Sequence, residues 1–293
     1  MSEEQKAYKV VYKVTDEDPN SVYCTTYQMR NFYKQFSDGF FSKLDVMNYI
    51  QHCSMINLLK KGDVVLDMCC GRGLVLPLLR YQKRISAYYG FDISEKNLGE
   101  QLRWSGAKRI DNVEEYYPFE IKHIKGRAED AASLLNEEMF DVIFYTSSIE
   151  HMQKEAGIKS LEACFKLLKH GGRMFFSTPN TTDKENKYDT HYAAHLYEWD
   201  KDEVITELTK AGFIIEKSIG LVCSARAAEQ YFESSKGKKD YQAKKLRDYL
   251  PTAWFLAILP IMIEGIADEV AIICRKPTPM RWLLSKKREE SNE

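Results

Sequence analysis

The chain has 293 residues, of which 44% are hydrophobic and 29% charged, and a net charge of -1. Those values suit one substantial core with additions, because domains much beyond about 250–300 residues tend to split; they exclude wholesale disorder and a fibrous repeat. The near-zero charge gives no general field for polyanions, so nucleic acid is not an expected partner, although clustered Lys and Arg can still form a local patch.

Seven cysteines, an odd number with no CxxC pair and no zinc-site spacing, read as reduced thiols of a cytosolic protein. The first residues lack an apolar signal core, so a cytoplasmic location is expected. A homo-oligomer is left open.

Residues Tyr27 to Leu59 carry a helical pattern dense in aromatics: Phe32, Tyr33, Phe36, Phe40 and Phe41. That stripe reads as packing or as a lid over a ligand crevice, and residues 1–46 are taken as an extension and lid. From Asp63 onward, strand-like runs alternate with helical patterns, which points to βαβ units and a mainly parallel sheet covered on both faces. The expected strands are Val64 to Met68, Ala87 to Asp92, Glu120 to Lys125, Asp141 to Tyr145, Arg173 to Ser177, Gly212 to Ile219 and Glu269 to Cys274. Helices are expected at Leu74 to Tyr81, Ser94 to Ser105, Ala128 to Leu135, Glu155 to Leu168 and Lys201 to Ala211, the fourth ended by His170-Gly171-Gly172.

An insertion, Ser224 to Asp268, separates the last two strands. It holds a basic run, Lys236 to Arg247, that reads as a solvated helix face, and then the apolar stretch Ala253 to Ile263. That stretch falls short of the ~20 residues of a membrane span and contains Pro260, so it reads as buried core or a pocket wall. The main domain is taken as 47–276, with 277–293 as a flexible tail.

The most informative segment is Asp67-Met68-Cys69-Cys70-Gly71-Arg72-Gly73, where an apolar strand ends in an acid and two glycines turn into a helix. The next strand ends in a second acid, Asp92, placed to hold a ribose-type diol. A dinucleotide reading competes, but its third glycine would fall at Leu76, and an acid four residues before the first glycine is foreign to it.

In this order the motifs resemble the class I S-adenosylmethionine-dependent methyltransferases, a Rossmann-like family with a seven-stranded sheet whose last strand is antiparallel. The resemblance covers roughly Met47 to Lys276. Asp67 to Gly73 is similar to the family's acidic-x-Gly-x-Gly-x-Gly loop, with Cys69 in place of the first glycine. It implies S-adenosyl-L-methionine as cofactor, with Asp67 facing its amino group, Asp92 its ribose, and Gly71 and Gly73 allowing close backbone approach. The helix that follows would offer its N-H groups to the carboxylate.

Gly126-Arg127-Ala128-Glu129-Asp130 resembles the adenine-bracketing segment, through Ala128 and Glu129. Both acids also suit the first turn of a helix. Ile93 and Thr146, beside the second and fourth strand ends, complete the expected cofactor set. Tyr145 to His151 matches the family's small-residue, then Glu-His, pattern at the acceptor side.

A sulfonium methyl needs chiefly an aligned nucleophile, with a base optional. His151, His191 and His195 are the candidate catalytic residues, with Tyr192 beside them, all in segments expected at the sheet's carboxyl edge. His191 and His195 are four apart, but without a third ligand the spacing is too weak to support a metal. The expected function is methyl transfer to oxygen or nitrogen of a small, partly apolar acceptor. A nucleic-acid or protein methyltransferase and a non-catalytic cofactor-binding protein are the alternatives; the Asn/Asp-Pro-Pro-aromatic clamp of DNA amine methylation is missing after Tyr145.

Overall fold

A computed structural model describes residues 42–79, 84–104, 119–182, 186–188 and 193–279. The aromatic stripe from Phe32 to Phe41, His191, Tyr192 and the end of the tail lie outside them.

The first helix, α1 (Lys43–Leu58), starts at a capping box. Ser42 Oγ accepts from the Asp45 amide, and the Asp45 carboxylate accepts from the Ser42 amide, which satisfies two donors that a helix start leaves open. The helix buries Met47, Met55 and Leu58 against one sheet face, and it runs through the expected boundary at residue 46.

Strands β1 (Asp63–Met68), β2 (Ile85–Asp92), β3 (Glu120–Lys125), β4 (Phe140–Thr146), β5 (Leu168–Pro179), β6 (Ile214–Leu221) and β7 (Glu269–Arg275) form one sheet. Their order is β3-β2-β1-β4-β5-β7-β6. The expected seven strands are therefore all present. Every pairing from β3 to β5 is parallel, and β7 lies antiparallel between β5 and β6.

Alternate residues feed two cores. Leu66, Met68, Phe91 and Tyr145 face one side, while Val65, Tyr88, Phe144 and Phe175 face the side covered by α1. The chain leaves β1 for β2 on one flank and later returns to β4 on the other. Between the tips of β1 and β4 lies the switch point where open α/β sheets bind ligands.

The crossover helices include α2 (Leu76–Leu79), α3 (Glu95–Trp104), α4 (Ala131–Leu134), α5 (Lys154–Leu167) and α6 (Lys201–Lys210). Helix α5 corrects one expectation. Its apolar repeat buries Leu161, Cys164 and Leu167, but it stops at Leu167, and Leu168 is already extended. His170-Gly171-Gly172 lies inside β5 instead, at an irregularity opposite Phe140 to Val142. A Cβ on Gly172 would sit 2.9 Å from the Asp141 carbonyl oxygen, so that glycine admits close strand packing, while Gly171, at φ 80°, makes a turn within the strand; neither stops the helix.

The insertion is helical: α7 (Ala225–Glu233), α8 (Tyr241–Tyr249) and α9 (Thr252–Met262). Lys238, Lys239, Lys245 and Arg247 are exposed, as a solvated face requires. The apolar helix α9 buries Phe255, Leu256, Ala257 and Leu259 and packs on α1 and β6. Among the described residues no helix is long and apolar enough to cross a membrane.

Gly220 permits that packing, since a Cβ there would lie 2.6 Å from the Pro260 carbonyl oxygen. Gly220→Ala should therefore destabilise the protein by about 1–3 kcal/mol through overpacking. Gly265→Ala, where a Cβ would meet nothing within 4 Å, should stay near neutral. Urea unfolding midpoints of the two variants check this, and equal midpoints would contradict it.

Candidate functional site

The loop after β1 is held by its own backbone. Cys69, Gly71 and Gly73 have φ of 56°, 53° and 72°, the left-handed region that favours glycine. Cys69 takes up this strained conformation at the position where the sequence pattern expects the first glycine. The Cys70 amide donates to the Phe91 carbonyl at 3.0 Å, which ties the loop to the end of β2.

Asp92 closes that junction. Its Oδ2 accepts from the Gly71 amide at 2.8 Å and its Oδ1 from the Ser94 amide at 2.8 Å. Its carboxylate thus bridges the glycine loop and the chain leading into α3. Among the described residues, nothing lies within 4 Å of where a Cβ on Gly71 would stand. The main chain here borders open space, so the loop fits a cofactor that lies against bare backbone.

Asp67, also buried, receives the Tyr88 hydroxyl at 2.6 Å. Burial lifts its carboxyl to about 7; the Asp92 charge adds to the rise, and the tyrosine bond opposes it. A cation arriving beside Asp67 would meet an acid poised to ionise.

Helix α2 begins at Leu76, two residues later than expected. The Gly73 amide donates to the Cys70 carbonyl and the Leu76 amide to the Gly73 carbonyl, so both are spent on the turn. After β3, the Gly126 amide donates to the Asp92 carbonyl, and Ala128–Asp130 form a single 3-10 turn. Ala128 is buried, while Glu129 accepts from Arg127 Nε at 2.6 Å. Ile93 directly follows Asp92, and Thr146 ends β4.

The second half of the site lies beyond β4. Ser147, with φ of 42°, turns the chain into a short helix, Ile149–His151. Glu150 is buried; its Oε2 accepts from Thr178 Oγ1 at 3.0 Å, and burial raises its carboxyl to about 8, with the charge of Glu269 adding. The His151 ring is drawn down to about 4, chiefly by burial, so it is neutral near pH 7.

The expected long loop after β5 is anchored against this turn. His151 Nδ1 lies 2.7 Å from the Ala194 carbonyl oxygen, and the Leu196 amide donates to the Glu150 carbonyl at 2.7 Å. The His151 and His195 rings lie 5.0 Å apart between centroids. Lys187 clamps the far side through Asp200 at 2.6 Å, and Trp199 is fully buried. Two of the three candidate histidines therefore come together.

Sequence reading did not find Gln51 and Glu269. An antiparallel strand begins where its parallel neighbours end, so the start of β7 brings Glu269 to the ligand edge opposite Pro179. Ser147 Oγ donates to Glu269 Oε1 at 2.7 Å, Gln51 Nε2 lies 3.4 Å from the same oxygen, and Ser177 Oγ donates to Gln51 Oε1 at 2.7 Å. The only signal in the sequence was an acid at the start of an apolar strand.

Residues 45–218 match a protein-family model described as a methyltransferase domain. The chain is 29% identical over 126 residues to a ubiquinone biosynthesis O-methyltransferase of Pseudomonas fluorescens, covering 42% of this chain and 47% of that protein. It is 31% identical over 158 residues to the enzyme of that name from Neisseria meningitidis, covering 51% and 61%. The chain thus spans less than two thirds of either relative's length. In fold it is similar to a SAM-dependent methyltransferase structure from Archaeoglobus fulgidus, with a TM-score of 0.52 and 19% identity over 83% of this chain and 99% of the other.

Asp67 and Glu150 hold a proton more tightly in the folded chain than in the unfolded one. Their contribution to stability is whole below about pH 4 and is lost as pH rises through about 7 and about 8 respectively. Asp67→Asn should flatten the fall in urea midpoint between about pH 5 and about pH 8. Parallel curves for the two proteins would contradict the assignment.

Proposed function

The chain belongs to the methyltransferase domain family, and from that premise we propose that it transfers a methyl group from S-adenosyl-L-methionine to an oxygen of a small, partly apolar acceptor. The observation that carries this reading is the Asp92 carboxylate, fixed by the Gly71 and Ser94 amides beside an open backbone face at Gly71. When bound, the cofactor supplies a methyl group already activated on a sulfonium.

The chain's own residues would do the rest. Asp92 would accept hydrogen bonds from the ribose hydroxyls, and Asp67 would pair with the amino group. Gly71 and Gly73 give the backbone room, with Cys69, Ile93 and Thr146 flanking. Ala128 and Glu129 would bracket the adenine, Glu129 using the carboxylate oxygen that Arg127 does not hold. Oxygen is favoured over nitrogen because the curated relatives bear the name of an O-methyltransferase.

At the acceptor side, His151 and His195 are the groups proposed to hold the acceptor's hydroxyl, and His191 is retained with them on its sequence position alone. A ring drawn down to about 4 binds a proton weakly. His151 therefore acts as a neutral lone-pair donor, not as a store for a proton near pH 7. The buried acids Glu150 and Glu269, with their hydroxyl and amide partners, shape a water-poor wall beside it.

Asp92→Ala removes charge-assisted bonds worth about 1.5–3 kcal/mol each, so donor affinity should fall about 100-fold or more by calorimetry. Unchanged affinity would sink the ribose assignment. His151→Ala should leave donor affinity intact and slow turnover of the product labelled from methyl-labelled donor in cell extract. A second calorimetric signature concerns Asp67: near pH 6 the donor's ammonium group must displace its proton, so the heat should vary with the buffer's ionisation enthalpy, and this dependence should vanish at that pH in Asp67→Asn. Buffer-independent heat near pH 6 would contradict the pairing.

A further inference from the structure

We propose that Glu150, His151 and His195 form a binding site for a divalent transition-metal ion. One possible ligand atom from each residue lies within 4.8 Å of the others, and Glu150 is fully buried. Two imidazoles and one carboxylate are a donor set suited to zinc, cobalt or manganese, and poorly suited to magnesium, which prefers oxygen alone.

The surroundings of the rings match what metal-binding histidines require. His151 Nδ1 is held by the Ala194 carbonyl at 2.7 Å, and His195 Nδ1 faces Glu198 Oε1 at 3.2 Å. Such outer partners fix the tautomer and leave Nε2 as the ligand atom. In His151 that atom already lies 3.7 Å from Glu150 Oε1. The remaining Glu150 oxygen is fixed by Thr178, so the carboxylate presents one oxygen to the site.

The two chain segments are also fastened to each other. The Leu196 and Tyr197 amides both donate to the Glu150 carbonyl, at 2.7 and 3.3 Å. This brings Leu196 of the loop after β5 against Glu150 in the turn after β4, 46 positions earlier, with little freedom left to lose on binding. An ion about 2.0–2.2 Å from each ligand needs them about 3–3.5 Å apart, so the three would draw together by about an ångström.

Three protein ligands leave positions open. The role of the ion rests on the proposed methyl transfer: an acceptor oxygen in an open position would be oriented and its proton made easier to lose. The binding of the ion does not rest on that reading.

Chelator-treated full-length protein titrated with Co2+ tests the site, with visible absorption and calorimetry as readouts. The expected result is one Co2+ per chain, ligand-field bands in the visible, and affinity at least about tenfold above that for Mg2+. His195→Ala should weaken Co2+ binding about tenfold or more while thermal unfolding and donor affinity stay unchanged. Because Glu150 is buried, Glu150→Gln serves as the second variant, close in shape and expected to lose Co2+ without losing the fold. Undiminished Co2+ affinity in His195→Ala, or no preference over Mg2+, overturns the site. Co2+ binding without any donor binding would retain the site and overturn the methyl-transfer reading instead.

Discussion

A carboxylate shared between two backbone amides sets the geometry of the ligand edge. Asp92 sits at the tip of β2, and its two oxygens fasten the Gly71 loop on one side and the start of α3 on the other. The left-handed turns at Cys69, Gly71 and Gly73 make that loop close enough to reach. In the proposed reading, binding would draw on the same carboxylate that organises the loop, which spares the ordering entropy that a mobile loop would lose on binding.

The other end of the crevice follows from strand direction. Parallel strands put Thr146 and Pro179 at one edge, and an antiparallel last strand adds Glu269 to the same edge. Burial there raises the carboxyls of Glu150 and Glu269 and lowers the His151 ring, in a wall that remains rich in hydrogen-bonding groups.

Much of this could be read from the residues. Strand-length runs alternating with helical patterns placed the seven strands, most plainly β1, β2 and β4, where a buried parallel strand has little tolerance for polar residues. The turn after β1 and the place of Asp92 at the end of β2 were legible because both depend on local sequence pattern. His170-Gly171-Gly172 misled, since glycines stop helices and also admit close strand contacts, and only the neighbouring Asp141 carbonyl decides between them. Gln51, Glu269 and the approach of His195 to His151 were hidden because they arise from contacts between segments far apart in the chain.

A crystal structure with S-adenosyl-L-homocysteine soaked or co-crystallised tests the central claim most directly. The account predicts the ribose hydroxyls within hydrogen-bond distance of the Asp92 carboxylate and the amino-acid end beside Asp67 and the Gly71 loop. A ligand bound elsewhere, or an Asp92 carboxylate that makes only its two backbone contacts in the complex, would contradict it.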